Sequence, residues 1–233
     1  MRKFSIIIPV LREAPVIRDA VGRIRALKGG ETVEIVVVDG DPEGSTLRAI
    51  TDSTVRKIQS EKGRGIQMNR GAGAASGEVL LFLHADTALP PDGLCRIRDV
   101  LRDGTLAGGA FDLQISSPGP LFRLIERVAS CRSRLTRIPY GDQAIFLRRD
   151  CFLNLGGFRD LPILEYVDLM RRLRLSGGRI AILPERVVTS ARRWEKEGVL
   201  YTTLRNWILV VLFILGVDAK RLVRWYPPHQ ERF

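Results

Sequence analysis

Carboxylates stand where apolar runs stop. In "VLLFLHADT" a run of core-type residues begins at Val79 and gives way at His84, Ala85 and Asp86; in "EIVVVDGD" the break comes at Asp39 and Asp41; and "FSIIIPVLRE" leads to Glu13. One aspartate after a strand is ordinary turn chemistry. Three strand ends that each deliver an acid to one rim are harder to assign to turns, because an ionised carboxylate only accepts hydrogen bonds and therefore suits a ligand. In open α/β sheets ligands bind in the crevice beyond the carboxyl ends of the strands.

The elements that must position these acids follow from periodicity. "FSIIIPV" and "EIVVVDG" are short apolar runs of strand type, and between them Val16, Ile17, Ala20, Val21, Ile24 and Leu27 recur at helical spacing over residues 14–28. A short helix is expected from Ser45 to about Asp52, a strand around "VRKIQ", a small-residue helix through "GIQMNRGAGAAS", and then the strand from Val79 to His84. Continuous apolar strands alternating with helices predict a parallel sheet covered on both faces. The later segments "GGAFDLQI" and "AIFLRR" are separated by a basic amphipathic helix, so the second half is expected to make the sheet mixed. The chain reads as one α/β domain over residues 1–197 with a helical extension, residues 198–233, on the same domain.

The composition excludes several chemistries. The chain has 233 residues, 45% of them apolar, enough for a full core without staples. Cys95, Cys131 and Cys151 are scattered and odd in number, which fits neither a disulfide framework nor a zinc site and makes a reducing compartment the default. With His84 and His229 the only histidines, histidine-rich zinc sites and Ser/His/Asp triads are poorly supplied. Neither G-x-G-x-x-G after the first strand nor G-x-x-x-x-G-K-[ST] occurs, so dinucleotide and ATP binding by those loops are not supported.

The formal charge of +11 and the sequence pI near 10.3 favour anionic partners. No recognised nucleic-acid module accompanies that charge, so nucleic acid is not expected as a partner. The N-terminus is interrupted by Pro9 and Arg12 too early for a secretory signal, which points to the cytoplasm. "WILVVLFILGV", Trp207–Val217, is about half the length needed to span a bilayer and is expected as a core helix. "LFRLIERVASCRSRLTRI" sets Leu121, Leu124, Ile125 and Val128 at helical spacing among arginines. Such a helix fits peripheral contact with the inner face of the plasma membrane, and a helix covering the core has the same apolar pattern.

Taken together, "IIIPVLRE", "IVVVDGDPEGST", "KGRGIQMNRGAGAASGEVLLFLHADT", "GDQAIFLRRD", "LEYVDLMRRLR" and "SARRW" resemble family 2 glycosyltransferases, in particular a small bacterial branch labelled rSAM/selenodomain-associated transferase 2. The resemblance covers nearly the whole chain and implies a GT-A fold, a Rossmann-like mixed central sheet with helices on both faces. It implies a nucleotide-diphosphate-sugar donor, a UDP-sugar by preference, and a small or lipid-like acceptor. Asp86 and His84 take the place of the D-x-D motif that holds Mg²⁺ or Mn²⁺ on the diphosphate, with His84 departing from the usual first aspartate. Pro9, Glu13, Asp39 and Arg64 match the nucleotide pocket, and Asp142 falls on the acceptor side. Arg193 and Trp194 resemble the second half of the Q-x-x-R-W motif of processive relatives, whose glutamine position is Ser190 here.

The departure with most chemical weight is in "LEYVDLMRRLR". Relatives carry adjacent Glu-Asp, with the aspartate as catalytic base of an inverting transfer. Here Glu165 is followed by Tyr166, and a tyrosine of ordinary pKa about 10 is a poor base near neutral pH. Glu165 and Asp168, three residues apart on one helical face, are the substitutes. Otherwise the chain is slow, or a nucleotide-sugar binder without turnover. A nucleotidyltransferase on a similar fold would need a glycine-rich basic loop, which "PVLREAPVIRD" lacks.

Overall fold

The structure, a computed structural model, describes residues 3–226. Strands β1 (Phe4–Val10), β2 (Glu34–Asp39), β3 (Arg56–Gln59) and β4 (Val79–Phe82) pair in parallel in the order β3-β2-β1-β4. Between them run α1 (Ala14–Arg25), α2 (Ser45–Ala49) and α3 (Arg64–Ala74). The chain steps away from β1 to β2 and β3 and returns to its other side at β4, which makes the carboxyl ends of β1 and β4 the switch point of the sheet.

The second half turns the sheet mixed. It contains β5 (Thr87–Ala88), α4 (Gly93–Val100), β6 (Leu106–Ile115), α5 (Pro120–Thr136), β7 (Phe146–Arg148), α6 (Arg149–Asn154), α7 (Glu165–Leu175) and β8 (Arg179–Thr189). Strand β7 runs antiparallel to β4 and β6, β8 lies parallel to β6, and β5 closes the order β4-β7-β6-β8-β5. Helices α8 (Arg192–Glu197), α9 (Val199–Ile214) and α10 (Ala219–Leu222) complete the described chain. The part of the expected extension beyond Tyr226, including His229, lies outside the described residues.

Period-2 alternation sorts the strand residues between two cores. Ile6, Ile8, Ile35, Val37 and Leu81 pack with Ile17, Val21 and Ile24 of α1 and Leu94 and Ile97 of α4. Ile7, Val36, Val38, Leu80 and Phe82 pack with Met68 and Ala72 of α3 and Val167, Leu169 and Met170 of α7. Burying each such side chain stabilises the fold by roughly 1.5–3 kcal/mol before entropy is counted. At Gly71 a Cβ would stand 2.5 Å from Cγ2 of Ile7, so α3 lies on the sheet at a spacing no other residue permits.

Both amphipathic segments keep apolar side chains on the surface, and for residues 207–217 this overturns an expectation. Helix α5 turns Phe122, Glu126, Ser130 and Ser133 inward and leaves Leu121 and Leu124 exposed. The inward face is polar because Glu126 accepts hydrogen bonds from the Ile115 N–H at 2.8 Å and from Arg123, anchoring the end of β6. The segment Trp207–Val217 is likewise not a core helix: α9 buries Leu209 and Val210 there and exposes Trp207, Ile208, Val211 and Ile214. Among the described residues no helix is long and apolar enough to cross a membrane.

Candidate functional site

The site lies where the carboxyl ends of β1, β2 and β4 meet residues carried by α3, α7 and the segment after β8. On the β2 side, Asp39 is fully buried and its two oxygens accept from the backbone N–H groups of Asp41, at 2.9 Å, and Thr46, at 3.1 Å. It thereby fixes the loop between β2 and α2. Thr46 in turn accepts from the N–H of Glu13 at 3.0 Å, tying the end of β1 to the same loop. Pro9 sits in register with Val38 one residue before β1 ends.

Buried Gln67 of α3 bridges the two strand ends. Its Nε2 donates to the carbonyls of Val10, at 2.7 Å, and Val38, at 2.8 Å. Asp41 presents a buried Oδ1 with no hydrogen-bond partner, while its other oxygen accepts from Ser45 at 2.5 Å. The Ser45 hydroxyl, ahead of the nearby Arg12 guanidinium, holds the Asp41 carboxyl below the usual carboxylate range. Sequence reasoning named Asp41 as a strand-end acid without giving it a role, and nothing in the pattern of residues singled out Gln67.

On the β4 side the strand is two residues shorter than expected and ends at Phe82. Leu83 and His84 continue extended chain to a turn closed by the Thr87 N–H on the His84 carbonyl at 3.0 Å. Strand β5 then pairs with β8 through Thr87 opposite Thr189, whose hydroxyls are 3.2 Å apart. This pairing brings "SARRW" beside Asp86. The arginine it places on Asp86 is Arg192, at 3.4 Å, while the guanidinium of its neighbour Arg193 lies 4.7 Å from the Tyr226 ring centre. Trp194 packs against the core formed with α1 and serves as a wall.

His84 and Tyr166, the two residues that stand where the family has acids, touch each other. The Tyr166 hydroxyl is 3.3 Å from Nε2 of His84. Burial, helped by the Arg64 charge, pushes the imidazole pKa down to about 3, and burial drives the phenol well above its ordinary value. Both are therefore neutral at working pH and share a hydrogen bond whose direction follows the His84 tautomer. The Tyr166 ring lies directly on Gly141, where a Cβ would stand 2.2 Å from ring carbon Cε2.

Three acids are then distinguished by their surroundings. Glu165, buried at the start of α7, pairs with Arg64 at 3.2 Å. Asp168 is also buried, but its oxygens are taken by Arg172 at 2.8 Å and Arg159 at 3.3 Å. Arg172 continues to the carbonyls of Leu155 and Gly157, so this acid braces the turn after α6. Asp142, on the short turn before β7, keeps a buried Oδ1 with no partner. Burial pushes its carboxyl up to about 6 against the pull of Arg132, and the nearby Asp86 charge adds to the rise.

The arrangement therefore brings His84, Asp86, Asp142, Tyr166, Arg64 and Arg193 into one electrostatic neighbourhood, with Arg192 on Asp86. Asp168 and Trp194 are occupied elsewhere. No group of three or more His, Cys, Asp or Glu side chains able to hold a metal ion occurs among the described residues. Asp86 alone, partly exposed, has the hard oxygen donors that Mg²⁺ and Mn²⁺ prefer. Such ions are commonly held by one or two carboxylates together with substrate phosphates. The residues present thus fit a metal that arrives on a diphosphate. His84 has its Nε2 engaged by Tyr166.

Known proteins carry the same arrangement of elements. Over 90% of its length the chain superposes on the mannosyltransferase PcManGT from Pyrobaculum calidifontis, solved in complex with GDP-Man and Mn²⁺, with a TM-score of 0.67 at 22% identity, covering 60% of that chain. It superposes over 81% of its length on S. aureus TarS 1–349 in complex with UDP-GlcNAc, with a TM-score of 0.62 at 18% identity, covering 58% of that chain. These likenesses establish the GT-A fold. In sequence it is 31% identical over 179 residues to a PGL/p-HBAD biosynthesis glycosyltransferase of Mycobacterium tuberculosis, covering 66% of this chain and 62% of the relative. The chain spans between 31% and 62% of the length of such curated relatives. The family model described as Glycosyl transferase family 2 matches residues 5–159, from the start of β1 to the turn before α7. With the fold and the strand-end site in agreement with that match, the chain belongs to glycosyl transferase family 2.

Proposed function

We propose that the protein moves a single sugar from a nucleotide-diphosphate donor to an acceptor hydroxyl in the cytoplasm, with inversion at the anomeric carbon. The observation that carries this reading is the meeting of Asp86, a cluster of arginines and Asp142 at one sheet rim. Arg64, Arg192 and Arg193 offer the charge that a diphosphate needs both when bound and when leaving. Asp86 would hold Mg²⁺ or Mn²⁺ on that diphosphate, and the ion would supply charge neutralisation of the leaving group. Asp39 and Glu13 frame the pocket for the base and ribose.

Asp142 is our choice of general base. Glu165 is committed to Arg64 and Asp168 to Arg172, whereas Asp142 has an oxygen without a partner and a carboxyl that ionises at about 6, close to working pH. The acceptor hydroxyl gives its proton to Asp142 as its oxygen bonds the anomeric carbon, and the bond from that carbon to the diphosphate oxygen breaks on the opposite side. Two structural neighbours were solved with different nucleotides, GDP-Man and UDP-GlcNAc. We favour UDP, with a small or lipid-like acceptor.

The test is calorimetric titration of the purified protein with UDP, GDP and dTDP, each with Mn²⁺ and with EDTA, repeated on Asp86→Ala. Metal-dependent binding of one nucleotide, lost in the variant, is the expected result; no binding of any nucleotide overturns the reading. The second reading, a nucleotide-sugar binder without turnover, draws on the His84–Tyr166 pair standing where relatives have acids. Hydrolysis of the donor by wild type and not by Asp86→Ala rules it out.

A further inference from the structure

Helix α9 is built inside out. The residues it turns inward include Thr202 and Arg205, and Arg205 is held by Glu197 at 2.6 Å with its guanidinium about 5 Å from the ring centres of Tyr201 and Tyr226. Outward it presents Leu204, Trp207, Ile208, Val211, Ile214 and Leu215, between 38% and 75% exposed and without a charge among them. Their spacing lays them along one side of the helix in a stripe roughly 17 Å long. A surface helix ordinarily does the reverse, and a contiguous exposed apolar patch marks an interaction site.

Two further features say what covers it. Just beyond α9 an open depression of about 600 Å³ is lined by Leu212, Val217, Leu222 and Trp225 together with Arg221 and Arg224. Both tryptophans at this end of the molecule, Trp207 and Trp225, are exposed. Apolar surface bordered by tryptophan and arginine matches the layering of a lipid interface, with acyl chains beneath anionic headgroups. The chain carries a formal +11. That charge complements an anionic surface and opposes a second copy bearing the same charge.

We propose that α9 and the adjoining depression dock on the surface of an anionic lipid bilayer. The helix lies in the plane of the interface, with the Leu204–Leu215 stripe among the acyl chains, Trp207 and Trp225 at headgroup depth, and Arg221 and Arg224 on lipid phosphates. No residue of the nucleotide site takes part.

Co-sedimentation of the full chain with phosphatidylcholine vesicles, with and without phosphatidylglycerol, tests this. Binding to the anionic vesicles is expected. It should weaken at high salt and fall at least tenfold in Leu204→Gln/Ile208→Gln/Val211→Gln, with the circular dichroism spectrum and nucleotide binding unchanged. Brominated lipids, used with wild-type protein alone, should quench the tryptophan fluorescence. Absence of vesicle binding, equal binding by the variant, or no quenching overturns the proposal. So does a wild-type dimer that the variant converts to monomer without vesicle binding, which would make the face an interface between copies. Because nucleotide titration is read without lipid, failure here leaves the transferase reading standing.

Discussion

At the β2 end of the rim, Asp39 accepts from the N–H groups of Asp41 and Thr46 and Gln67 donates to the carbonyls of Val10 and Val38, with Oδ1 of Asp41 left buried without a hydrogen-bond partner. Beyond the end of β4, His84 and Tyr166 hold each other, Tyr166 rests on Gly141, and Asp142 retains a buried oxygen without a partner. Backbone partners come with the strands, so the first half is as stiff as the sheet. An unpartnered buried acceptor costs stability and is tolerated where a reactant supplies the missing donor. On the proposed function the Asp41 oxygen would take its missing donor from the nucleotide and the Asp142 oxygen from the acceptor, so the first half would bind and the second react.

The sharpest way to break this comparison is Asp142→Asn. As general base its loss should lower kcat by about 10²–10³-fold with nucleotide affinity within about twofold. Wild-type activity should fall as pH drops below about 6. Stability runs the other way: burial raises the carboxyl above its ordinary 3.8, so its stabilising contribution is whole below that value and lost as pH rises through about 6. In urea titrations the Asn variant should therefore be the more stable protein at about pH 8, with the gap closing toward about pH 4. Unchanged kcat removes Asp142 from the mechanism.

Asp168→Ala comes next. It strips Arg172, itself largely buried, of its carboxylate and should cost about 3 kcal/mol of unfolding free energy while sparing nucleotide affinity. A large drop in kcat without loss of stability would instead make Asp168 the base. On the nucleotide side, Asp39→Asn turns an amide N–H₂ toward a backbone N–H and should cost about 2 kcal/mol by denaturant titration, weakening nucleotide binding with it. The smallest effect is expected for Tyr166→Phe, which leaves the His84 ring nitrogen without its hydrogen-bond partner at about 1 kcal/mol. Its kcat should stay within about threefold of wild type, and a larger loss would give the phenol a direct part in the chemistry.

The strand-end acids were legible because apolar runs and their stops are local signals, and the mixed sheet followed from strands that no longer alternated simply with helices. What stayed hidden depends on contacts between distant segments. The register of Thr87 against Thr189 decides that Arg192, which the sequence did not single out, meets Asp86. The pairing of His84 with Tyr166 spans 82 residues, so no local pattern announces it. Helix α9 was expected in the core and α5 was left open, because helical period finds an apolar face without saying which way it turns. The inward partners, the Ile115 N–H for Glu126 and Glu197 for Arg205, are tertiary.

The bare Cα of Gly141 under the Tyr166 ring makes what either position can hold depend on the other. Tyrosine and aspartate codons differ by a single nucleotide, so Tyr166→Asp is one mutation away. That mutation alone would leave a ring-sized gap over Gly141, strip His84 of its partner and set a second carboxylate near Asp142. An acid at position 166 would therefore require changes at several positions together, so Tyr166, Gly141 and His84 are interlocked and admit that acid only as a unit.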